Sequence, residues 1–174
     1  MFLIRGHETA SHPNPAVVSI NISPGGIPKS PVSSVHVTQM GLVGDGHNHE
    51  KHKSPLQAVC LEDWELIEEL KKEGFPLRCG AIGENLTVHN LRVQNLPVGT
   101  VLEFSRGVVL ELTKPRNPCY VLDAIDPRLQ SAIAGRCGFY ARVMKEGKLQ
   151  VGETIRVVGA SQILSQWLLL SSRP

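Results

Sequence analysis

Short strand-like segments separated by turn residues run through most of this sequence, and they constrain its fold more than any other feature. The series begins with VVSINI at residues 17–22, which ends in the turn-forming residues Ser-Pro-Gly-Gly. It continues with PVSSVHV, ENLTVHN, TVLEFS, VVLELT, FYARVM and ETIRVVG, each bounded by Gly, Pro, Asn or Ser. Many short strands with frequent turns are typical of antiparallel barrels and sandwiches. The sequence therefore predicts a mainly β fold.

Two segments break this rhythm and predict peripheral helices, which makes the expected class α+β. The apolar residues of LEDWELIEELKKEG recur every three positions, at Leu61, Trp64, Ile67 and Leu70. DPRLQSAIAG predicts a second, short helix with Asp126 as its N-cap, Pro127 at its first position and Gly135 beyond its end. With 174 residues, the chain has enough length for one domain with a hydrophobic core.

Charge and hydropathy exclude several classes of protein. The formal net charge is +2, and no basic stripe with interleaved aromatic residues is present, so nucleic-acid binding is not expected. No apolar run approaches the roughly 20 residues of a membrane span, and the N-terminus lacks the apolar centre of a secretion signal. We therefore expect a cytoplasmic protein. The apolar segment ILSQWLLL at residues 163–170 permits a homodimer.

The four cysteines are too widely spaced for a CxxC metal site, which favours free thiols. Cys119 follows the strand-like VVLELT in the segment TKPRNPC, where Pro115 and Pro118 should end the strand. Arg116 on the same loop could favour the thiolate, the form that attacks, carries sulfur or ligates a soft metal. The alternative is that Cys119 is a buried small hydrophobe, as lone cysteines often are.

Polar residues in three other segments are candidates for a site. GLVGDGHNHEKH brings together Asp45, His47, His49 and His52, which could bind a divalent metal or simply be solvated. In GENLTV, Asn85 either contacts a ligand or bonds its own backbone in a turn. Arg142 alternates with Tyr140 on one face of a strand, where it is either solvated or, with Arg116, suited to the phosphate of an anionic ligand.

Six segments in this order resemble the successive motifs of the MOSC domain, the C-terminal domain of molybdenum cofactor sulfurase. They are INISPGGIPKSPV, GLVGDGH, PLQAVCLEDWE, IGENLTV, LPVGTVLEFSRGVVLELTKPRNPC and GFYARVMKEGKLQVGETIRVV. The resemblance assigns residues 17–159 to the domain, with extensions at residues 1–16 and 160–174. It implies a β-barrel-like single domain similar to small stand-alone bacterial members.

The resemblance also implies a function for Cys119, which matches the family's single cysteine. That cysteine is held either to carry persulfide sulfur or to coordinate the molybdenum of a molybdopterin cofactor, and the residue chemistry permits both. The resemblance places Asp45 and His47, which match the family's GDxH motif, in the lining of the pocket. Asn85, Arg116 and Arg142 would complete an anion-tolerant site.

The two branches require different partners. A sulfur carrier needs a cysteine desulfurase as donor, whereas a molybdenum reductase of N-hydroxylated compounds needs an electron-donating redox protein. This chain is too short to include the pyridoxal-phosphate module of the full-length sulfurase, so no pyridoxal-phosphate site is expected. A non-catalytic module that binds a cofactor or a protein, with a structural Cys119, is the remaining alternative.

Overall fold

The computed structural model describes residues 14–46 and 54–159 of the chain. Eleven strands lie within these ranges: β1 (Ala16–Ile22), β2 (Ser30–Val32), β3 (Ser34–Thr38), β4 (Gly41–Leu42), β5 (Val59–Asp63), β6 (Leu86–His89), β7 (Val101–Phe104), β8 (Val109–Pro115), β9 (Phe139–Lys145), β10 (Gly147–Gln150) and β11 (Ile155–Val158). The helices are α1 (Trp64–Lys72) and α2 (Leu129–Ile133), with short 3-10 turns at Pro55–Gln57, Val93–Asn95 and Tyr120–Ala124. The predicted mainly β, α+β class is confirmed.

The strands form an eight-stranded sheet in the order β11-β7-β8-β9-β5-β6-β1-β2 and a three-stranded sheet in the order β10-β3-β4. Neighbouring strands are antiparallel except β5 and β6, which are parallel because α1 carries the chain back between them. The start of β1 also meets the segment that leads into β11: Ile155 N donates to Pro15 O at 2.7 Å, and Ala16 bridges Thr154. The large sheet is thus strongly curled, although the two sheets do not close into a true barrel.

Strand β5 corrects the predicted start of the first helix. Leu61 and the two acidic residues after it belong to β5, and α1 begins only at Trp64. All five residues of β5 are buried, because the strand lies between β9 and β6 and is covered on both faces. Helix α1 buries Leu66, Ile67 and Leu70, whereas Trp64 is 40% exposed. The three-residue spacing of apolar residues therefore spanned two different elements.

The second helix is shorter than the sequence predicted. It begins at Leu129, and Asp126 does not cap it; the Asp126 carboxylate instead accepts a hydrogen bond from the backbone N–H of Arg128 at 2.8 Å. Gly135 lies beyond the helix end with φ +76°, as expected of a residue that stops a helix.

Two hydrophobic clusters hold these elements together. The larger one lies between the sheets and contains the inward residues of the long strands, including Val59, Leu112 and Ala141. The smaller one packs α1 against α2 and contains Leu70, Leu122 and Ile133. Burying Leu122 stabilises the fold by about 2 kcal/mol and fixes the 3-10 turn that follows Cys119.

The terminal segments 1–13 and 160–174 lie outside the described residues, as does the apolar ILSQWLLL segment. The proposed limits of the domain, the two extensions and the homodimer therefore remain predictions. Within the described ranges, no helix has the length and apolar character needed to cross a bilayer.

Candidate functional site

The loop that carries Cys119 is anchored at both ends. Strand β8 ends at Pro115, as the two prolines predicted, and the Tyr120–Ala124 turn begins directly after Cys119. The Cys119 carbonyl accepts a hydrogen bond from the Leu122 amide at 3.0 Å, and Leu122 itself is buried. The Cys119 side chain is an exposed free thiol. The interpretation of Cys119 as a buried small hydrophobe is therefore wrong, whereas burial does describe Cys60 and Cys137.

Asp45 and Asn85, which the sequence proposed as site residues, are brought into direct contact. The side-chain Nδ2 of Asn85 donates to Asp45 Oδ2 at 2.8 Å, and the backbone N–H of Ser23 donates to Asp45 Oδ1 at 3.0 Å. Asn85 Oδ1 accepts from the Cys60 backbone N–H at 3.1 Å. Asn85 thus joins two segments of the fold instead of closing its own turn.

Lys29 completes this cluster and was not singled out by the sequence. Its Nζ lies 2.5 Å from Asp45 Oδ2, and the two side chains are 10% and 1% exposed, respectively. The Lys29 backbone is also fixed, because its N–H donates to Gly80 O and its carbonyl accepts from Arg78 Nη1. A charge taken out of water requires a partner, and here the lysine balances the aspartate. We call Lys29, Asp45 and Asn85 the Asp45 cluster.

The charge balance in the Asp45 cluster leads to a stability prediction. Lys29→Met leaves the Asp45 carboxylate buried without a cation, and we expect it to lower the free energy of unfolding by about 3 kcal/mol. Adding Asp45→Asn to Lys29→Met should restore at least half of that loss, because the unpaired charge is removed. Urea unfolding of the four proteins of this double-mutant cycle measures the effect. Additive losses from the two substitutions would contradict the pairing.

A second layer of buried polar side chains supports Asn85. Asn21 Nδ2 donates to Thr87 Oγ1 at 3.1 Å, and Thr87 Oγ1 donates to Glu84 Oε1 at 2.9 Å. Glu84 Oε1 also accepts from the Gly80 amide, while Glu84 Oε2 has no partner among the described residues. Burial raises the pKa of Glu84, as it does that of Glu62 on β5. No periodic pattern in the sequence marks these residues, since their burial depends on the pairing of β1 with β6.

Arg116 points into the protein. Its Nη2 donates to the Ile82 carbonyl, and its Nη1 is buried without a partner among the described residues. Its charge also lies near the buried thiols of Cys60 and Cys137. Burial raises the pKa of Cys137 to about 12 despite that nearby charge. The guanidinium therefore connects the Cys119 loop to the turn that precedes Asn85.

Arg142 occupies a different setting. It lies on β9 and donates to Glu111 Oε2 of the neighbouring strand β8 at 2.9 Å, with 43% of its side chain exposed. Phe139, Ala141 and Val143 are buried on the opposite face of β9, as the alternation predicted. The structure thus gives Arg142 a cross-strand ion pair and, among the described residues, no hydrogen bond to the Asp45 cluster.

The histidines of the glycine-rich loop fall outside the described residues: His47, His49 and His52 all lie within 47–53. The proposed role of His47 therefore remains a prediction. Within ranges 14–46 and 54–159, no group of three or more His, Cys, Asp and Glu side chains is arranged to hold a metal ion.

The acidic junction between β5 and α1 gives a pH-dependent prediction. Burial raises the pKa of Asp63 from 3.8 to about 6. Hydrogen bonding by the backbone N–H groups of Val93 and Gln94 favours the carboxylate and limits this rise. The charged form is disfavoured in the folded protein, so this group reduces stability progressively as the pH rises from about 4 to above 6.

Asp63→Asn should therefore stabilise the protein by about 2 kcal/mol at pH 7.5 relative to its effect at pH 4.5. Urea midpoints of wild type and variant at the two pH values measure the difference. Asp123→Asn, at an exposed position, is the matched control and should show no such pH dependence. An equal effect of Asp63→Asn at both pH values would contradict the role of burial.

Comparison with known proteins gives a family model, described as "MOSC domain", that matches residues 45–156. The uncharacterized protein YflK of Bacillus subtilis (strain 168) is 32% identical over 146 residues, covering 79% of this chain and 65% of YflK. A protein named "Reductase" from Gibberella moniliformis (strain M3125 / FGSC 7600) is 31% identical over 132 residues, covering 71% of this chain. The chain spans only 24% of that relative's length.

A solved structure with a similar fold is YiiM from Geobacillus stearothermophilus. It is 25% identical to this chain, with a TM-score of 0.68, and the match covers 91% of this chain and 86% of YiiM. The matched family model includes Asp45, Asn85 and Cys119. These three residues thus lie within the matched part of the chain, whereas Lys29 precedes it.

Proposed function

The chain belongs to the MOSC domain family, and on that premise we propose that Cys119 ligates the molybdenum of a molybdopterin cofactor in a reductase of N-hydroxylated compounds. The observation that carries the proposal is the exposure of the Cys119 thiol on a loop anchored at both ends. A ligand must be reachable by the metal and held in place, and this thiol meets both conditions.

The residues around Cys119 fit an anionic cofactor whose metal prefers sulfur ligands. A thiolate is a soft ligand that suits molybdenum better than the harder oxygen and nitrogen donors nearby. The buried Nη1 of Arg116 has no partner among the described residues and is a donor that an anion could satisfy. When bound, the cofactor would supply the two-electron chemistry that side chains cannot.

The Asp45 cluster would shape the site rather than contact the ligand. Both oxygens of Asp45 already accept hydrogen bonds, and both polar atoms of Asn85 are used within the protein. The cluster would therefore hold Asp45 in place at the end of the described range 14–46. The net charge of the Lys29–Asp45 pair is zero, so the cluster does not repel an anion.

The proposed reaction reduces an N–OH group to N–H and releases water, which consumes two electrons and two protons. The electrons must come from a separate redox protein or domain, because no side chain of this site can supply them. The match to about a quarter of a protein named "Reductase" is consistent with this division of labour. The physiological substrate is then an N-hydroxylated compound small enough to reach an exposed thiol.

Persulfide transfer is the second candidate function, and the same exposure of Cys119 favours it. An exposed thiol can be reached by a partner protein as well as by a small molecule. In this case a cysteine desulfurase would donate the sulfur, and a metallocofactor enzyme would accept it.

The experiment that tests the reductase is turnover of an N-hydroxylated purine with a reduced dye as electron donor. The protein is purified from a host that makes molybdopterin, and wild type is compared with Cys119→Ser. We expect Cys119→Ser to lose at least about 100-fold in rate, and Cys79→Ser, at a partly exposed cysteine, to keep its rate. If wild type is inactive but Cys119 carries a persulfide by intact mass, the sulfur carrier replaces the reductase. If the wild-type protein is inactive and carries no persulfide, a non-catalytic binding module replaces the reductase as the proposed function.

A further inference from the structure

Arg116 is tied into the fold by its backbone as well as by its side chain. Its N–H donates to the Gly138 carbonyl at 2.9 Å, at the start of β9, while its Nη2 donates to the Ile82 carbonyl. The segment that runs to Cys119 is stiff, because Pro118 fixes its own φ and donates no backbone hydrogen bond. Two contacts made by one residue thus hold the first half of the Cys119 loop, residues 116–119.

The packing around the guanidinium leaves little room for it to move. A Cβ at Gly83 would lie 3.3 Å from Arg116 Nη2 and 2.9 Å from Ile27 Cγ2, so the guanidinium lies close against the backbone of this turn. Gly83 has φ +90°, which glycine adopts readily. Residues 80–85, which we call the Glu84 turn, are therefore shaped to receive the side chain of Arg116.

The Glu84 turn leads directly into Asn85, which bonds Asp45 at 2.8 Å. A continuous path of contacts thus runs from Cys119 through Arg116 and the Ile82 carbonyl to the Asp45 cluster. Two acidic side chains also favour the buried position of the Arg116 guanidinium. Oε2 of Glu62 and Oε2 of Glu84 are buried and have no hydrogen-bond partner among the described residues, and both carboxyl groups interact with the charge of Arg116.

We propose that Arg116 is a positioning residue, which locks the Cys119 loop against the Glu84 turn and so fixes Cys119 relative to the Asp45 cluster. It acts through the hydrogen bonds of its backbone N–H and of its Nη2. This inference deepens the proposed function and rests on it for its consequence in cofactor binding. The placement itself is independent of any bound group.

The test compares Arg116→Lys with Arg116→Met, with Arg128→Met as the matched control. Arg128 is also an arginine of this region, but its side chain is 70% exposed, pairs with Asp126 and lies over the Phe75 ring. Lysine keeps the charge and loses the planar fork that reaches the Ile82 carbonyl. Positioning by geometry therefore predicts that Arg116→Lys loosens the Cys119 loop almost as much as Arg116→Met does.

Hydrogen exchange of the protein without cofactor is the readout. Both Arg116 variants should exchange the amides of residues 116–122 and 80–85 about tenfold to a hundredfold faster than wild type. Arg128→Met should leave both segments unchanged. Rescue of both segments by Arg116→Lys, or acceleration of only one segment, would overturn the proposal.

The comparison of the two variants separates geometry from charge, because Arg116→Lys keeps the positive charge. Hydrogen exchange needs no molybdenum, so failure of the reductase hypothesis leaves this test intact.

If neither variant folds, hydrogen exchange of wild type decides the question. The Arg116 amide and the Gly83 amide lie on the two sides of the proposed lock. Exchange rates within about tenfold of each other, after correction for intrinsic rates, indicate that the two segments open together. A larger difference would mean that they open separately and would overturn the proposal.

Discussion

Replacing Gly138 with alanine is expected to lower the free energy of unfolding by about 3–5 kcal/mol. The added Cβ would lie 2.1 Å from the Leu61 carbonyl oxygen, which belongs to the backbone of the buried strand β5. Relief of that contact requires β5 and β9 to separate, which costs backbone hydrogen bonds and packing. The φ of +78° adds strain for any residue with a side chain. Such a loss is a large part of the stability of a typical domain.

Gly74→Ala is the matched control for this prediction. Gly74 has φ +97°, so alanine is strained there as well, but nothing lies within 4 Å of the added Cβ. We expect a loss of about 1–2 kcal/mol from the backbone alone. Urea unfolding of both variants isolates the contribution of the close approach. Equal losses at the two glycines would contradict the tight packing of β5 against β9.

Sequence patterns located the strands well, because alternation and turn residues are local properties. The end of β8 at Pro115 follows from proline chemistry, and the buried face of β9 follows from its alternation. The error at Leu61 arose because residues spaced by three fit both the end of a fully buried strand and the beginning of a helix. Only the position of β5 between β9 and β6 distinguishes the two.

The candidate site was predictable only in part. Cys119, Asp45 and Asn85 were identified from loops and from resemblance, and the structure joins Asp45 to Asn85 directly. The buried partner Lys29 gave no signal, because a lysine that neutralises an aspartate sixteen residues away resembles any surface lysine in sequence. The direction of the Arg116 side chain is likewise set by the Ile82 carbonyl, a backbone group that no side-chain pattern reveals.

Cys119→Ser is expected to remove bound molybdenum from the protein while leaving its fold unchanged. The side chain is exposed and makes no hydrogen bond to any described residue, so exchanging sulfur for oxygen should change the free energy of unfolding by less than about 0.5 kcal/mol. The hydroxyl is a far poorer ligand for a soft metal than a thiolate. Loss of metal without loss of stability would therefore identify a ligand and exclude a general structural effect.

The control for this prediction is Cys79→Ser. Cys79 is partly exposed, and burial raises the pKa of its thiol, which makes it a weaker ligand. We expect this variant to retain the metal content of wild type. Loss of metal from both variants would show that the substitutions act on the protein in general.

The most direct test of the account is the molybdenum and pterin content of protein purified from a host that makes molybdopterin. Elemental analysis and the fluorescence of released, oxidised pterin give the content per chain for wild type and for Cys119→Ser. The account predicts nearly one molybdenum and one pterin per chain in wild type and almost no molybdenum in Cys119→Ser. Equal molybdenum in the two proteins, or none in wild type, would contradict the role of Cys119 as the metal ligand.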